Sequence, residues 1–334
     1  MRPDYKIEAN SKDVTEAIRR RLISAEIVDN EGLQSDTFEM TLDDRDNAVE
    51  LPPTGAEIKV WLGYKETGLR FMGMYIYDEV DIDGPPDTLT LKAKAAHVGN
   101  SATLKGFNAA LKEHKTRSWH EKTLGEIVTA IATAAGYEPG VDPELGGELI
   151  AHIDQTNESD LNFLTRLAEQ RNAVAKPSGG ALLFVPRGLA KSVSGKIPET
   201  VKLHRTDLTR WSMNIADREA YQSVEAVWHD LDSAEQIPFT VGNSPPVKKL
   251  RGTFATLDEA GRAAQAELDR ILRGAAKPTF TLPGNPLLAA ECAAEVSGLR
   301  KELCGTWSVT KATHSFNNNG YSATIECEAP ETKK

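Results

Sequence analysis

The stretch Glu57-Ile58-Lys59-Val60-Trp61-Leu62-Gly63-Tyr64 places Ile58, Val60, Leu62 and Tyr64 on one side of the chain and the residues between them on the other. A period of two is the side-chain repeat of a β-strand, and apolar alternation means one packed face and one wet face. Moving outward, Thr37-Phe38-Glu39-Met40-Thr41-Leu42 alternates in the same way, and Leu69 to Tyr77 and Thr88 to Ala95 continue the series. In the last of these, Leu89, Leu91, Ala93 and Ala95 face inward while Thr90, Lys92 and Lys94 face outward. Turn formers separate the runs at 43–47, 52–55 and 83–87. Several one-sided strands must share an interior, because a lone hairpin is marginal in water. A barrel or sandwich over residues 1–104 is the expected result.

Further along, the period changes. Thr123-Leu124-Gly125-Glu126 is a capping box, and behind it Leu124, Ile127, Val128, Ile131 and Ala135 share a helical face that Gly136 ends. A second helix is expected to begin near Asn157 or Ser159, with Leu161, Leu164, Leu167 and Ala168 along one stripe. Ala173 to Lys176 and Ala181 to Val185 flank Pro177-Ser178-Gly179-Gly180 and read as a hairpin. Residues 105–190 therefore form an α+β insertion. From 191 to 330 strands return, with Val224, Ala226 and Trp228 on one face. The capping box Thr256-Leu257-Asp258-Glu259 opens a long helix that runs to about Arg273 and stops at Gly274. A closing hairpin joins Thr306–Phe316 to Tyr321–Glu328, and Asn319-Gly320 supplies the positive φ angles of a tight turn. The fold class is α+β, mainly β: two β-regions around an α/β insertion.

Composition excludes several functions. The chain has 334 residues, 40% apolar and 26% charged, enough for an ordinary core without disulfides or structural metals. No run reaches the ~18 apolar residues of a membrane span, and Met1 to Lys6 opens no secretory signal. The formal charge of −10 disfavours stable nucleic-acid binding, which draws its affinity from counterions released by basic residues. The short basic cluster Arg19-Arg20-Arg21 reads as a solvated edge. Cys292, Cys304 and Cys327 are odd in number and widely spaced, so they read as small apolar residues.

The seven histidines, His97, His114, His120, His152, His204, His229 and His314, form no H-E-x-x-H motif, and no metal site is expected. His152-Ile153-Asp154-Gln155-Thr156-Asn157-Glu158-Ser159-Asp160 is the best place to seek chemistry, with Asp154, Glu158 and Asp160 as calcium ligands or as an acid/base pair of the kind glycosidases use. As a calcium loop it fails, since Ser159 and Thr165 stand where Gly and Glu belong. A turn leading into a helix N-terminus explains it more simply. Asn157-Glu158-Ser159 is a sequon without a secretory route. Walker, dinucleotide and G-x-S-x-G motifs are absent, and Trp61, Trp119, Trp211, Trp228 and Trp307 read as packing residues. No catalytic, cofactor or metal residue is assigned.

Several strings resemble one family, the phage late control protein D family of tail baseplate hubs. They are Ser35 to Asp46, Leu51 to Glu57, Leu62-Gly63-Tyr64, Gly84 to Leu89, Lys122 to Val128 and His152 to Leu161. Near the end come Thr281-Leu282-Pro283-Gly284, Gly305-Thr306-Trp307 and Thr313-His314-Ser315-Phe316. The resemblance, which extends to the T4 baseplate hub and the hub part of type VI spike proteins, implies two tail-tube-like β-barrels per chain, at 1–104 and 191–330. It implies a homotrimer forming a pseudo-sixfold ring that joins a sixfold tail tube to a threefold central spike. The implied partners are the tube protein, a separate spike protein, tape-measure and wedge proteins, with DNA only in transit and no membrane insertion. A virion location after assembly in the host cytoplasm follows, and no enzymatic activity. The alternative is a tail-tip peptidoglycan hydrolase using Asp154, Glu158 or Asp160.

Overall fold

The computed structural model describes residues 1–32, 36–95, 110–178, 181–187, 200–215, 221–230, 233–274 and 276–329. The alternating N-terminal segments form β1 (Pro3–Ala9), β2 (Lys12–Asp13), β3 (Leu22–Asn30), β4 (Thr37–Asp43), β5 (Glu57–Tyr64), β6 (Gly68–Asp83) and β7 (Thr88–Ala95). They pair antiparallel in the order β3-β4-β7-β6-β5-β1-β2. Their inward faces bring Ile58, Val60 and Leu62 together with Phe38, Met40, Leu42, Tyr75, Tyr77, Leu89 and Leu91 in one buried core. Each large side chain so buried contributes roughly 1.5–3 kcal/mol.

The middle contributes β8 (His114–Thr123), β9 (Glu138–Val141), β10 (Leu149–Ser159), β11 (Ala173–Ser178) and β12 (Ala181–Pro186). β8 and β10 form an antiparallel ribbon, while β11, β12 and β9 form a small sheet with β9 parallel to β12. The helices Leu124–Ala134 and Asp160–Glu169 bury Ile127, Ile131, Phe163 and Leu167 against these strands. The capping box at Thr123 and Glu126 is present in both directions. Of the expected 177–180 turn, Gly179 and Gly180 lie outside the described residues.

The C-terminal region adds β13 (Val201–His204), β14 (Arg210–Ile215), β15 (Ser223–Asp230), β16 (Glu235–Gly242), β17 (Val247–Phe254), β18 (Ala276–Pro283), β19 (Ala293–Ser297), β20 (Gly305–Asn317) and β21 (Gly320–Glu328). β14, β18, β21 and β20 follow one another, and their core holds Phe280, Leu282, Trp307, Val309 and Ile325. β15, β16 and β17 do not join that sheet. With the helix Leu257–Gly274 they make a separate layer whose core is Val224, Ala226, Ala260, Ala264 and Leu268. Alternation in Ser223–His229 gives a strand but not its neighbours. In the closing hairpin Asn318 and Asn319 form the loop, and Gly320 alone takes the positive φ of +115°. The Asn-Gly pair thus sits one residue later in the turn than expected.

β20 joins the two sheet-built halves. Along one edge it pairs with β21. Along the other, Gly305 to Ser308 pair with β19, and Lys311 to Asn317 pair with β3. The register breaks between Val309 and Lys311, where the partner changes. Past the break Phe316 and Tyr321 pack into the N-terminal core, with Phe316 edge-on to Tyr5 at 4.9 Å and Tyr321 5.8 Å from Tyr64.

Gly284 is pinned at this seam. Its N–H donates to the Tyr321 carbonyl at 2.8 Å, and its carbonyl accepts from the Tyr64 hydroxyl at 2.8 Å. A Cβ here would fall inside the Tyr321 ring. Gly284→Ala should therefore lose about 1–3 kcal/mol through overpacking, read as a lowered Tm. An unchanged Tm would mean that the ring does not lie over this backbone.

Candidate functional site

The acidic stretch is a strand, not the expected turn. β10 carries it as far as Ser159, paired with β8, and a bulge between Gln155 and Glu158 leaves Asn157 at φ +46°. The Asn157 N–H donates to Thr116 Oγ1 at 3.0 Å. Ser159 then caps the helix, accepting the Asn162 N–H at 3.2 Å. Asp160, the first helical residue, is fully buried. It accepts from Lys115 Nζ at 2.6 Å, from Gln155 Nε2 at 2.9 Å and from Arg117. Arg166 grips Glu158 through two nitrogens, at 2.7 and 3.2 Å. The Ser118 hydroxyl donates to Asp154, and this bond is the main cause holding the Asp154 carboxyl below its ordinary value.

A glycosidase-type pair needs one carboxyl that keeps its proton near neutral pH. Asp154 is pushed the opposite way, while Glu158 and Asp160 are each neutralised by a cation. The arrangement anchors a helix to a ribbon. Lys115 and Arg117 stay partly hydrated while the Gln155 amide loses a buried acceptor, so Asp160→Ala should cost about 1–3 kcal/mol in urea unfolding. A loss below about 1 kcal/mol would show that Lys115 and Arg117 find other partners.

The β8–β10 register also sets His120 opposite His152, their Nδ1 atoms 3.1 Å apart, a pair that sequence spacing did not suggest. His314 is buried between Tyr321 Oη at 2.8 Å and the Leu288 carbonyl at 3.0 Å, and burial lowers its pKa. A neutral ring donating from Nε2 and accepting at Nδ1 satisfies both neighbours. His97 lies outside the described residues. No group of three or more metal-binding side chains converges among the described residues. Arg19 pairs with Asp4 and Glu16, and Arg21 with Asp46, at the sheet edge. Cys292 and Cys327 are buried, which raises both thiols, and all five tryptophans lie in strands.

A further charged assembly among the described residues was not foreseen. Where β20 changes partner, Asp29 and Glu31 at the end of β3, Glu291 before β19 and Glu328 at the end of β21 come close together. Three cations reach them from the inserted units. Lys176 of β11 donates to the Asn30 carbonyl at 3.0 Å and lies 3.8 Å from both Asp29 and Glu291. Arg187 meets Glu31 at 3.4 Å, and Arg273, at the end of the long helix, meets Glu328 at 3.4 Å and Asn172 at 2.6 Å. With Asp36 nearby, carboxylates outnumber cations. Burial pushes Glu31 up to about 7, and burial with the Asp36 charge pushes Asp29 up to about 6.

The sign of the pH dependence follows. Between the unfolded carboxyl value near 4.5 and about 7, the folded chain holds a proton on Glu31 that the unfolded chain has released. Stability is therefore full below that window and falls as pH rises through it, by up to roughly 3 kcal/mol. Glu31→Gln should flatten the fall in Tm between pH 5 and pH 8. A variant that keeps the wild-type slope would place the proton elsewhere.

The family described as phage tail baseplate hub (GPD) matches residues 30–320. The chain belongs to that family. A probable baseplate hub protein of Escherichia phage P2 is 34% identical over 98% of this chain and 93% of the phage protein. Among solved structures, the 43 kDa tail protein of prophage MuSo2 from Shewanella oneidensis covers 98% of each chain with a TM-score of 0.71 at 16% identity. The E. coli c3393 protein, a type VI secretion component described as structurally similar to T4 tail proteins gp27 and gp5, matches 94% of this chain and 74% of its own, with a TM-score of 0.50 and 12% identity. At those identities the two structures speak for the fold alone. Baseplate hubs are structural parts of the phage tail, and a structural role accords with carboxylates spent on ion pairs.

Proposed function

We propose that three copies of this chain form a ring at the base of a contractile tail, joining the sixfold tail tube to a threefold central spike. The supporting observation is the pair of sheet-built halves with separate cores, held by one ladder through β20. In a closed trimer, two such halves per chain supply six similar units, which is how a threefold assembly meets a sixfold one. On this reading the halves act as tube-like barrels and the α+β unit of 105–190 faces neighbouring baseplate proteins. Tube, spike, tape-measure and wedge proteins are the partners, and DNA crosses the bore. A net charge of −10 suits such passage, since like charges repel within a Debye length of about 8 Å. The ring is built in the host cytoplasm and ends in the virion.

The test is native mass spectrometry of the chain co-expressed with the spike protein of the same particle. The expected complex holds three copies of each. Six hub copies, or one, would overturn the ring reading while leaving the family membership intact.

A further inference from the structure

Between β10 and the Asp160–Glu169 helix on one side, and β17 and the start of the Leu257–Gly274 helix on the other, lies a cleft of about 310 Å3. Arg166, Arg171, Arg251 and Arg262 line it, with Glu259 the one carboxylate in its wall. Three of the arginines are engaged from behind. Glu148 takes two bonds from Arg171, at 2.7 and 2.9 Å, and meets Arg262 at 3.1 Å, while Glu158 holds Arg166. Glu259 accepts the Ala255 N–H at 3.2 Å and so serves the helix start.

Arg251 is different. Its side chain is exposed and has no hydrogen bond or ion pair with another described residue. It sits where β17 loses register against β15, beside Gly252 at φ +91°. Bulges of this kind turn a side chain out of its ladder position. Four guanidinium groups against Glu148, Glu158 and Glu259 leave an excess of one positive charge, on a protein whose total is −10. Ile153 and Phe254 add apolar surface to the lining.

We propose that this cleft binds an acidic side chain from a segment of another protein, its carboxylate held between Arg251 and Arg262 and its carbon stem lying on Ile153 and Phe254. Guanidinium forks match a carboxylate through two parallel bonds. An inorganic anion would use the charges but leave the apolar floor without a partner. A carboxylate on a methylene stem uses both. The inference goes beyond the ring reading and does not depend on it.

The probe is a fluorescein-labelled hexaglutamate peptide, titrated by anisotropy into the full chain at low salt. Arg251→Ala should weaken binding about tenfold, the worth of one charge-assisted contact, and Arg251→Glu should weaken it further. Arg300→Ala, a highly exposed cation elsewhere, should change nothing. Because Arg251 supports no neighbour, each variant should keep the wild-type melting curve. Failure of the wild-type chain to bind, equal affinity in Arg251→Ala, or an equal loss in Arg300→Ala would each overturn the assignment. Inorganic phosphate binding at the same site in preference to the peptide would overturn it too, reducing the cleft to a simple anion site.

Discussion

One edge of β20 is shared by two partners, β19 and β3. A strand's edge groups must be satisfied along their whole length, and a 13-residue strand outlasts either β19 or β3 alone. The change of partner near Thr310 therefore sets how the two halves meet. It also brings together the ends of β3 and β21 and the approach to β19. Backbone bonds tighten the fork: the Glu31 N–H reaches the Thr310 carbonyl at 2.9 Å, and the Glu291 N–H reaches the Val309 carbonyl at 2.6 Å. The residues that make these bonds are acidic, so the fork concentrates negative charge in a part-buried place.

That concentration explains why the inserted units dock where they do. Lys176, Arg187 and Arg273 come from β11, from the residue after β12 and from the end of the long helix, and all three converge on the fork. Charges drawn from water cost several kcal/mol each unless they are paired. Each cation is worth more here than on an open surface, where exposed pairs contribute about 0–1 kcal/mol. Ionic contacts of this kind are directional, and they fix the angle of a unit whose own apolar core, around Ile127, Phe163 and Phe184, is self-contained. Hydrophobic burial builds each unit. The charged fork orients them.

How far the sequence disclosed this depends on the range of the determining interaction. The alternation at 57–64 and the capping box at Thr123 are local, and they appear in the structure where the residues place them; at Thr256 the hydroxyl accepts the Glu259 N–H, but the Glu259 carboxylate takes the N–H of Ala255. The segment 152–158 misled because Asp, Asn and Ser favour turns through local bonds. Its fate was decided by β8, whose Thr116 and Arg117 supply partners some forty residues away in sequence. The strand Ser223–Asp230 shows the same limit, since period two says which face is buried and nothing about the neighbour. The resemblance reached the family through whole strings, and Gly284 shows what such a string can encode. Its glycine answers to Tyr64 and Tyr321, neither of which is near it in sequence.

The distribution of charge then separates structure from recognition. At the fork, and around Asp160, every described cation meets a carboxylate. Such groups are committed, and the chemistry they carry is spent on holding the fold. Arg251 breaks that pattern. Its strand could have kept register and packed a side chain on the long helix, as Leu250 does beside it. Instead the bulge lifts a guanidinium into a cleft already rich in positive charge, where repulsion among the arginines works against it. On the proposed reading, this exposed cation is met by an anion supplied from outside.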